Sequence, residues 1–216
     1  MRKILIIVSV VVVLGAAVVG WSQFQNKPVS KPKNEKTPLT ATNKESLDPN
    51  KHNFMDADFA KKMIVHNQQG IQIADLAKDR ATNEQVRIVA ATISTELSAE
   101  TGQYIAWLTE WKETYLNLSD FPQMEGHDMY PTYPGMASLG ELDALQVATG
   151  SSVDEQFLRL MVKHHEGADE MAKSIPVETM QFGKMIELRA EALKRQAEEV
   201  QTMKQLQSSQ EDSTNE

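Results

Sequence analysis

The chain has 216 residues, a net charge of -8 and no cysteine, which excludes disulfides, thiolate metal sites and thiol catalysis and leaves methionine as its only soft donor. Residues 1–51 hold 8 Lys/Arg and 3 Asp/Glu, leaving 14 against 27, a net -13, for residues 52–216. Such an acidic body disfavours nucleic acid, whose phosphates need cationic partners, and favours cations or basic partners; solubility alone is the plain alternative.

The chain opens "MRKILIIVSVVVVLGAAVVGW". Arg2 and Lys3 precede an uncharged run from Ile4 to Trp21 that spans about 27 Å as a helix, close to a bilayer core of about 30 Å. The run exceeds a signal-peptide core and Trp21 suits an interfacial belt, so residues 1–21 read as a retained membrane anchor. Gly15 and Ala17 leave a cleaved signal as the alternative, with a secreted or periplasmic product. In both cases the body is extracytoplasmic. Residues 22–51, rich in Lys, Asn, Pro, Ser and Thr, read as a flexible polar linker, and residues 208–216 as a disordered tail.

Between them, residues 52–207 carry helical periods and no strand alternation, predicting one all-α domain. The first helix, near Met55 to Lys78, repeats at Phe59, Met63, His66, Gly70, Ile73 and Ala77. The second, near Asn83 to Tyr115, repeats at Val86, Ala90, Ile93, Leu97, Tyr104, Trp107 and Trp111, with Thr82 and Gln85 as its capping box. A short helix, Leu139 to Ala148, opens on Ser138 and Glu141 and ends at Gly150. A third long helix runs from about Val153 to Lys173, with Ser152 and Glu155 as its box, and a fourth from Pro176 to about Gln207.

At an offset of 98 residues, Asp56, Phe59, Met63, His66 and Ala74 fall on Asp154, Phe157, Met161, His164 and Ala172; one residue further on, Glu100 falls on Glu199. Each half is then a helical hairpin. Two such hairpins joined by a long crossover make a four-helix bundle.

Four of the five histidines have a methionine three positions away: His52 with Met55, His66 with Met63, His127 with Met124 and His164 with Met161. His165 has Met161 four away. On a helix both spacings share a face, so thioether and imidazole can meet one ion. Di-iron bundles use Glu-x-x-His and hard oxygen donors, whereas Met with His suits Cu(I), tolerates Cu(II) or Ag(I), and suits Mg or Ca poorly. The segment "MEGHDMYPTYPGM" adds Met124, His127, Met129 and Met136, either as further ligands or as a lid over the bundle end. Taken singly, each helical methionine, Met161, Met171 and Met203 among them, reads better as gap filling in the core than as a ligand. Glu199 and Gln196 are placed to orient an imidazole from behind, or are merely solvated.

The stretch "PGMASLGELDALQVATGSSVDEQFLRLMVKHHEGADEMA" resembles the CopM-like family, a domain of unknown function. Its marks are a Pro-Gly-Met segment, Asp and Phe at a helix start, Met-x-x-His-His-x-Gly-Ala and Met-Ala. The resemblance, with "QAEEVQTM" in the fourth helix, covers about residues 52–207. It implies an exported, ferritin-like four-helix bundle, some of whose members bind copper through Met and His and contribute to copper tolerance. Carried over, Met161, His164, His165, Met171 and Met203 stand at the motif positions, with Gln196 and Glu199 beside them and Met136 in the Pro-Gly-Met segment. The first half departs: Asn67 takes the second His place, Leu97 the Gln place and Tyr104 the Met place, so His66 and Met63 are expected to contribute less.

The leading expectation is a membrane-tethered extracytoplasmic protein that sequesters or passes on copper, Cu(I) favoured, without catalysis. A homo-oligomer or a metal-exchange partner is compatible with it. The alternatives are a structural or interaction bundle with Met and His in its core, and a ferritin-like redox enzyme.

Overall fold

The structure is a computed structural model that describes residues 48, 50–121 and 133–214, with side chains through 210. The expected anchor and most of the linker lie outside the described residues. Among the described residues, no helix is long and apolar enough to cross a membrane, and no strand occurs. The elements are α1 (Phe54–Lys78), α2 (Glu84–Glu110), α3 (Leu139–Val147), α4 (Ser151–Ser174) and α5 (Gly183–Thr214). Helix α1 packs on α2 and α4, and α5 packs on α4 and α2, which closes the four long helices into a bundle. The α2-to-α4 crossover carries α3.

Two buried carboxylates explain the repeat. Asp56, on the first turn of α1, accepts hydrogen bonds from the backbone N–H groups of Gln181 and Phe182 as the chain enters α5. Asp154, on the first turn of α4, accepts from the backbone N–H of Thr82 and Asn83 at the entry to α2, at 2.8 and 3.0 Å. Each half thus uses one aspartate to cap the entry of its partner hairpin's second helix, satisfying donors that a helix start leaves orphaned.

The same contacts move several expected boundaries. Thr82 is not the N-cap of α2: Asn83 is, accepting from Gln85 N–H, while the Thr82 hydroxyl donates to Asp154. Helix α4 starts at Ser151 on Gly150, whose φ of 61° suits glycine, so the Ser152–Glu155 box does not form. Pro176 opens a 3-10 turn, Val177–Thr179, and α5 waits until Gly183 because Asp56 holds the intervening backbone extended. Helix α2 stops at Glu110 rather than Tyr115. Lys112 takes a left-handed φ of 60°, and the N–H groups of Lys112 and Glu113 close on Thr109 O and Leu108 O, the Schellman pattern with lysine in the usual glycine place. Beyond Gln207, α5 continues through residues expected to be tail, with Ser208 and Ser209 hydroxyls donating to carbonyls one turn back. The Ser138–Glu141 capping box forms as expected.

The core has two lobes. One gathers Ile73, Leu97, Phe157, Met161, Met203 and Leu206; the other gathers Phe59, Met63, Tyr104, Trp107, Met171 and Phe182. Every long helix passes from one lobe to the other, and at the passage it buries polar residues: His66, Asn67 and Gln69 on α1, Glu100 and Thr101 on α2, His164 and His165 on α4, Gln196 on α5. A polar layer therefore crosses the middle of the bundle.

Candidate metal centre

Three imidazoles occupy that layer, His66, His164 and His165, at 0, 1 and 2 % exposure. The rings of His66 and His164 lie 3.9 Å apart, and those of His164 and His165 6.1 Å apart. His66 Nε2–H donates to Pro134 O at 3.0 Å, and His164 Nε2–H donates to His66 O at 2.9 Å. Because a carbonyl only accepts, these two rings carry their proton on Nε2 and a lone pair on Nδ1. His165 Nε2 faces Glu199 Oε2 at 2.7 Å.

The Nδ1 atoms of all three imidazoles are buried without a partner in the protein. So are Asn67 Oδ1, Thr101 Oγ1 and Gln196 Oε1, in the same layer. Left unbonded, each such atom would cost roughly 1–3 kcal/mol, so the layer calls for a group that bonds to it. It is also what a preformed ligand set looks like: imidazoles oriented through one nitrogen by an oxygen acceptor, with the other nitrogen left bare.

The electrostatics keep the imidazoles neutral. Burial lowers His66 well below the usual range, with further depression from His164. Burial and the neighbouring His165 take His164 to about 3; burial and the Arg195 guanidinium take His165 to about 3. Arg195 pairs with Glu96 at 3.1 Å and with Glu100 at 3.0 Å. Glu96 is pushed up to about 7 by burial and by its hydrogen bond to Glu199, so Glu96 holds the shared proton and leaves Glu199 free to accept from His165.

The layer repeats the duplication. Asn67 Nδ2 donates to Glu100 Oε1 at 3.1 Å in the first half, where His165 meets Glu199 in the second. His66 lies against its counterpart His164, ring to ring at 3.9 Å and tilted by 34°, so the first-half imidazole adjoins the second-half pair. Its tautomer is set by the Pro-Gly-Met segment, which crosses α4 backbone to backbone. A Cβ on Gly167 would lie 2.1 Å from Pro134 O, and one on Gly135, at φ 78°, would lie 2.5 Å from Lys163 O. Gln69 ties the strap down, accepting from Ala137 N–H and donating to Ala137 O.

The methionines are divided. Met161 and Met203 lie in one lobe, Met63 and Met171 in the other. Met161 and Met171, on either side of His164 and His165 along α4, therefore enter different lobes, and the adjacent histidines turn to different neighbours. Met136 is half-buried against the small cluster of Val65 and Leu118. Met124, His127 and Met129 lie outside the described residues. His52 stacks on Trp111 at 4.1 Å, away from the layer. The roles of Glu96 and Arg195 escaped sequence reasoning; their spacing to Glu100 and Glu199, four residues in each case, was the available signal.

A four-helix bundle with a neutral, donor-rich polar layer at its centre defines the class: an all-α domain with a ligand-capable core. The chain belongs to the DUF305 family, Domain of unknown function, whose profile matches residues 56–207. It is similar to a DUF305 protein from Streptomyces coelicolor named as secreted, at 30% identity over 70% of this chain and 89% of that chain, TM-score 0.59. It is also similar to CopM in the Cu(II)-bound form, at 26% identity over 70% of this chain and 94% of that chain, TM-score 0.57. A further neighbour is CopM in an Ag-bound form obtained by soaking, at 25% identity over 71% of this chain and 95% of that chain, TM-score 0.54. Comparison with curated proteins gives no match.

Proposed function

We propose that this protein is an extracytoplasmic copper-binding protein that holds its ion on the imidazoles and thioethers of the bundle core, for sequestration, tolerance or transfer, without catalysis. One observation carries the reading: three adjacent buried imidazoles whose Nδ1 atoms have no partner in the protein. They are neutral at pH 7, so an ion need displace no proton from them. The donor set fits a soft or borderline ion. The chain has no thiolate, and among the described residues the imidazoles, 3.9 and 6.1 Å apart ring to ring, do not close on one point as a three-residue group of His, Asp or Glu, so the ion is held by fewer than three imidazoles with thioether completing the set. Met63 and Met161 each sit one helical turn before an imidazole, where a thioether shares its face.

Copper is favoured because CopM, a relative at 26% identity, is known in a Cu(II)-bound form. Cu(I) is the preferred state for a thioether-containing site. The extracytoplasmic placement rests on residues 1–21, read as a single anchoring span, and on a relative at 30% identity named as secreted. The test is competitive titration of the protein with Cu(I) and Zn(II) under reducing conditions. Stoichiometric Cu(I) with far weaker Zn(II) supports the proposal; equal affinities, or no copper, sink it.

A further inference from the structure

The three imidazoles are sealed by protein on most sides, so an ion needs a way in. On the strap side the Pro134–Gly135 backbone lies against Gly167, and next to α1 a Cβ on Gly70 would come within 2.7 Å of His164 Cε1. Packed backbone or the imidazole itself closes both of these sides. A cavity of about 270 Å³ opens between α4 and α5, faced by His165, Glu166 and Asp169 on one wall and Leu193, Gln196 and Ala197 on the other. His165 and Gln196 are both nearly fully buried, and each carries an unpartnered polar atom, Nδ1 and Oε1. The mouth carries two carboxylates. Each is paired with an exposed lysine, Glu166 with Lys204 at 2.7 Å and Asp169 with Lys173 at 2.5 Å, and exposed pairs of this kind are worth little and exchange readily.

A second cavity of about 270 Å³, between α2 and α5, includes Glu96, Arg195 and Glu199 in its lining but none of the three imidazoles. Its guanidinium, already engaged with Glu96 and Glu100, repels an incoming cation.

We propose that the α4–α5 groove is the port through which a soft or borderline metal cation reaches and leaves the bundle core, with Glu166 and Asp169 gathering it and His165 the first imidazole it meets. From His165 the ring of His164 is 6.1 Å away, and the tilted ring of His66 lies 3.9 Å from that of His164, so the port opens onto a file of imidazoles rather than a single donor. The inference rests on the copper-binding reading, and its test separates the two.

The full-length protein is loaded with Cu(I), supplied as its cationic acetonitrile complex, and mixed rapidly with excess bathocuproine disulfonate while copper release is followed by absorbance. Ala197→Trp, which plugs the groove from an exposed helix position, is expected to slow release and uptake at least tenfold with stoichiometry unchanged. Leu193→Ala widens the groove without added bulk and is expected to speed release severalfold, so the port is tested even where the bulky variant fails to fold. Glu166→Gln combined with Asp169→Asn is expected to slow uptake severalfold at low ionic strength, the difference vanishing near 1 M salt, where the screening length is about 3 Å. Wild-type exchange rates in all three variants overturn the port and leave copper binding standing. Absence of bound copper in the unmodified protein overturns the functional reading itself.

Discussion

Acidification from pH 6.5 to 5 is expected to destabilise the metal-free protein, and the polar layer sets the size of the effect. His164 and His165 have folded pKa values of about 3 against an ordinary value of 6.5. Across this window the unfolded chain takes up a proton at each that the folded state refuses, so stability falls as pH falls. At about 1.4 kcal/mol per proton per pH unit, 1.5 units costs roughly 2 kcal/mol for each imidazole, about 4 kcal/mol together. Glu96 acts with the opposite sign: with its folded pKa raised to about 7, the folded state holds a proton the unfolded chain lacks, which returns up to about 2 kcal/mol. The net loss is about 2 kcal/mol, to which His66, lowered in the same direction, adds. Urea unfolding followed by circular dichroism reads this as a midpoint drop of roughly 1 M for typical urea slopes. Glu96→Gln removes this counterweight, though not the one from Glu199, which burial also raises, and is expected to increase the loss. A stability in Glu96→Gln that stays flat or rises between pH 6.5 and 5 would refute the claim that the imidazoles are buried neutral.

The remaining predictions concern the adjoining imidazoles, the clamps and the strap. His66→Ala is expected to weaken Cu(I) binding as much as His164→Ala, at least tenfold by chelator competition, because the two rings lie 3.9 Å apart and each keeps a bare Nδ1; a tenfold smaller effect at His66 contradicts that. Asp154→Ala and Asp56→Ala are each expected to cost about 3–5 kcal/mol in urea melts, since each strands backbone donors that were bound to a buried carboxylate. Costs that differ several-fold would break the equivalence of the clamps. Gly167→Ala, whose methyl would collide with Pro134 O, is expected to lose about 1–3 kcal/mol and to shift the His66 imidazole 15N resonances away from the Nε2–H tautomer. Unchanged resonances would show that the strap does not set the tautomer.

The number and order of the long helices are legible in the sequence because hydrophobic period and turn residues act locally. Their ends are less so. Pro176 and Thr82 carry good start signals, yet both boundaries are decided by Asp56 and Asp154, more than seventy residues away in sequence. A carboxylate borrowed from another helix leaves no mark at the helix it caps. The 98-residue offset is the one sequence signal that points to these contacts, since it pairs Asp56 with Asp154.

The same offset explains how far the site could be read. Methionine and histidine at helical spacing point to a metal, but spacing along α4 places Met161 and Met171 on one helix without saying that they enter different lobes. What organises the layer is the duplication. Near the centre where the two halves meet, the counterparts His66 and His164 lie against each other, and the next pair, Asn67 with Glu100 and His165 with Glu199, reproduces one geometry with two chemistries. Asparagine at position 67 leaves a carboxylate-bonded amide where an imidazole stands in the second half. The copies have diverged at several matched places, Leu97 against Gln196 and Tyr104 against Met203 among them, and within the imidazole layer the difference is Asn67 against His165; the α4–α5 groove meets the second-half member of that pair. Restoring the missing imidazole tests this directly. Asn67→His has Glu100 Oε1 waiting to accept its Nε2–H, and is expected to raise Cu(I) affinity or stoichiometry with little loss of fold. A variant that folds and binds no differently would mean that the ion's position is set by the thioether lobes and not by the imidazole layer.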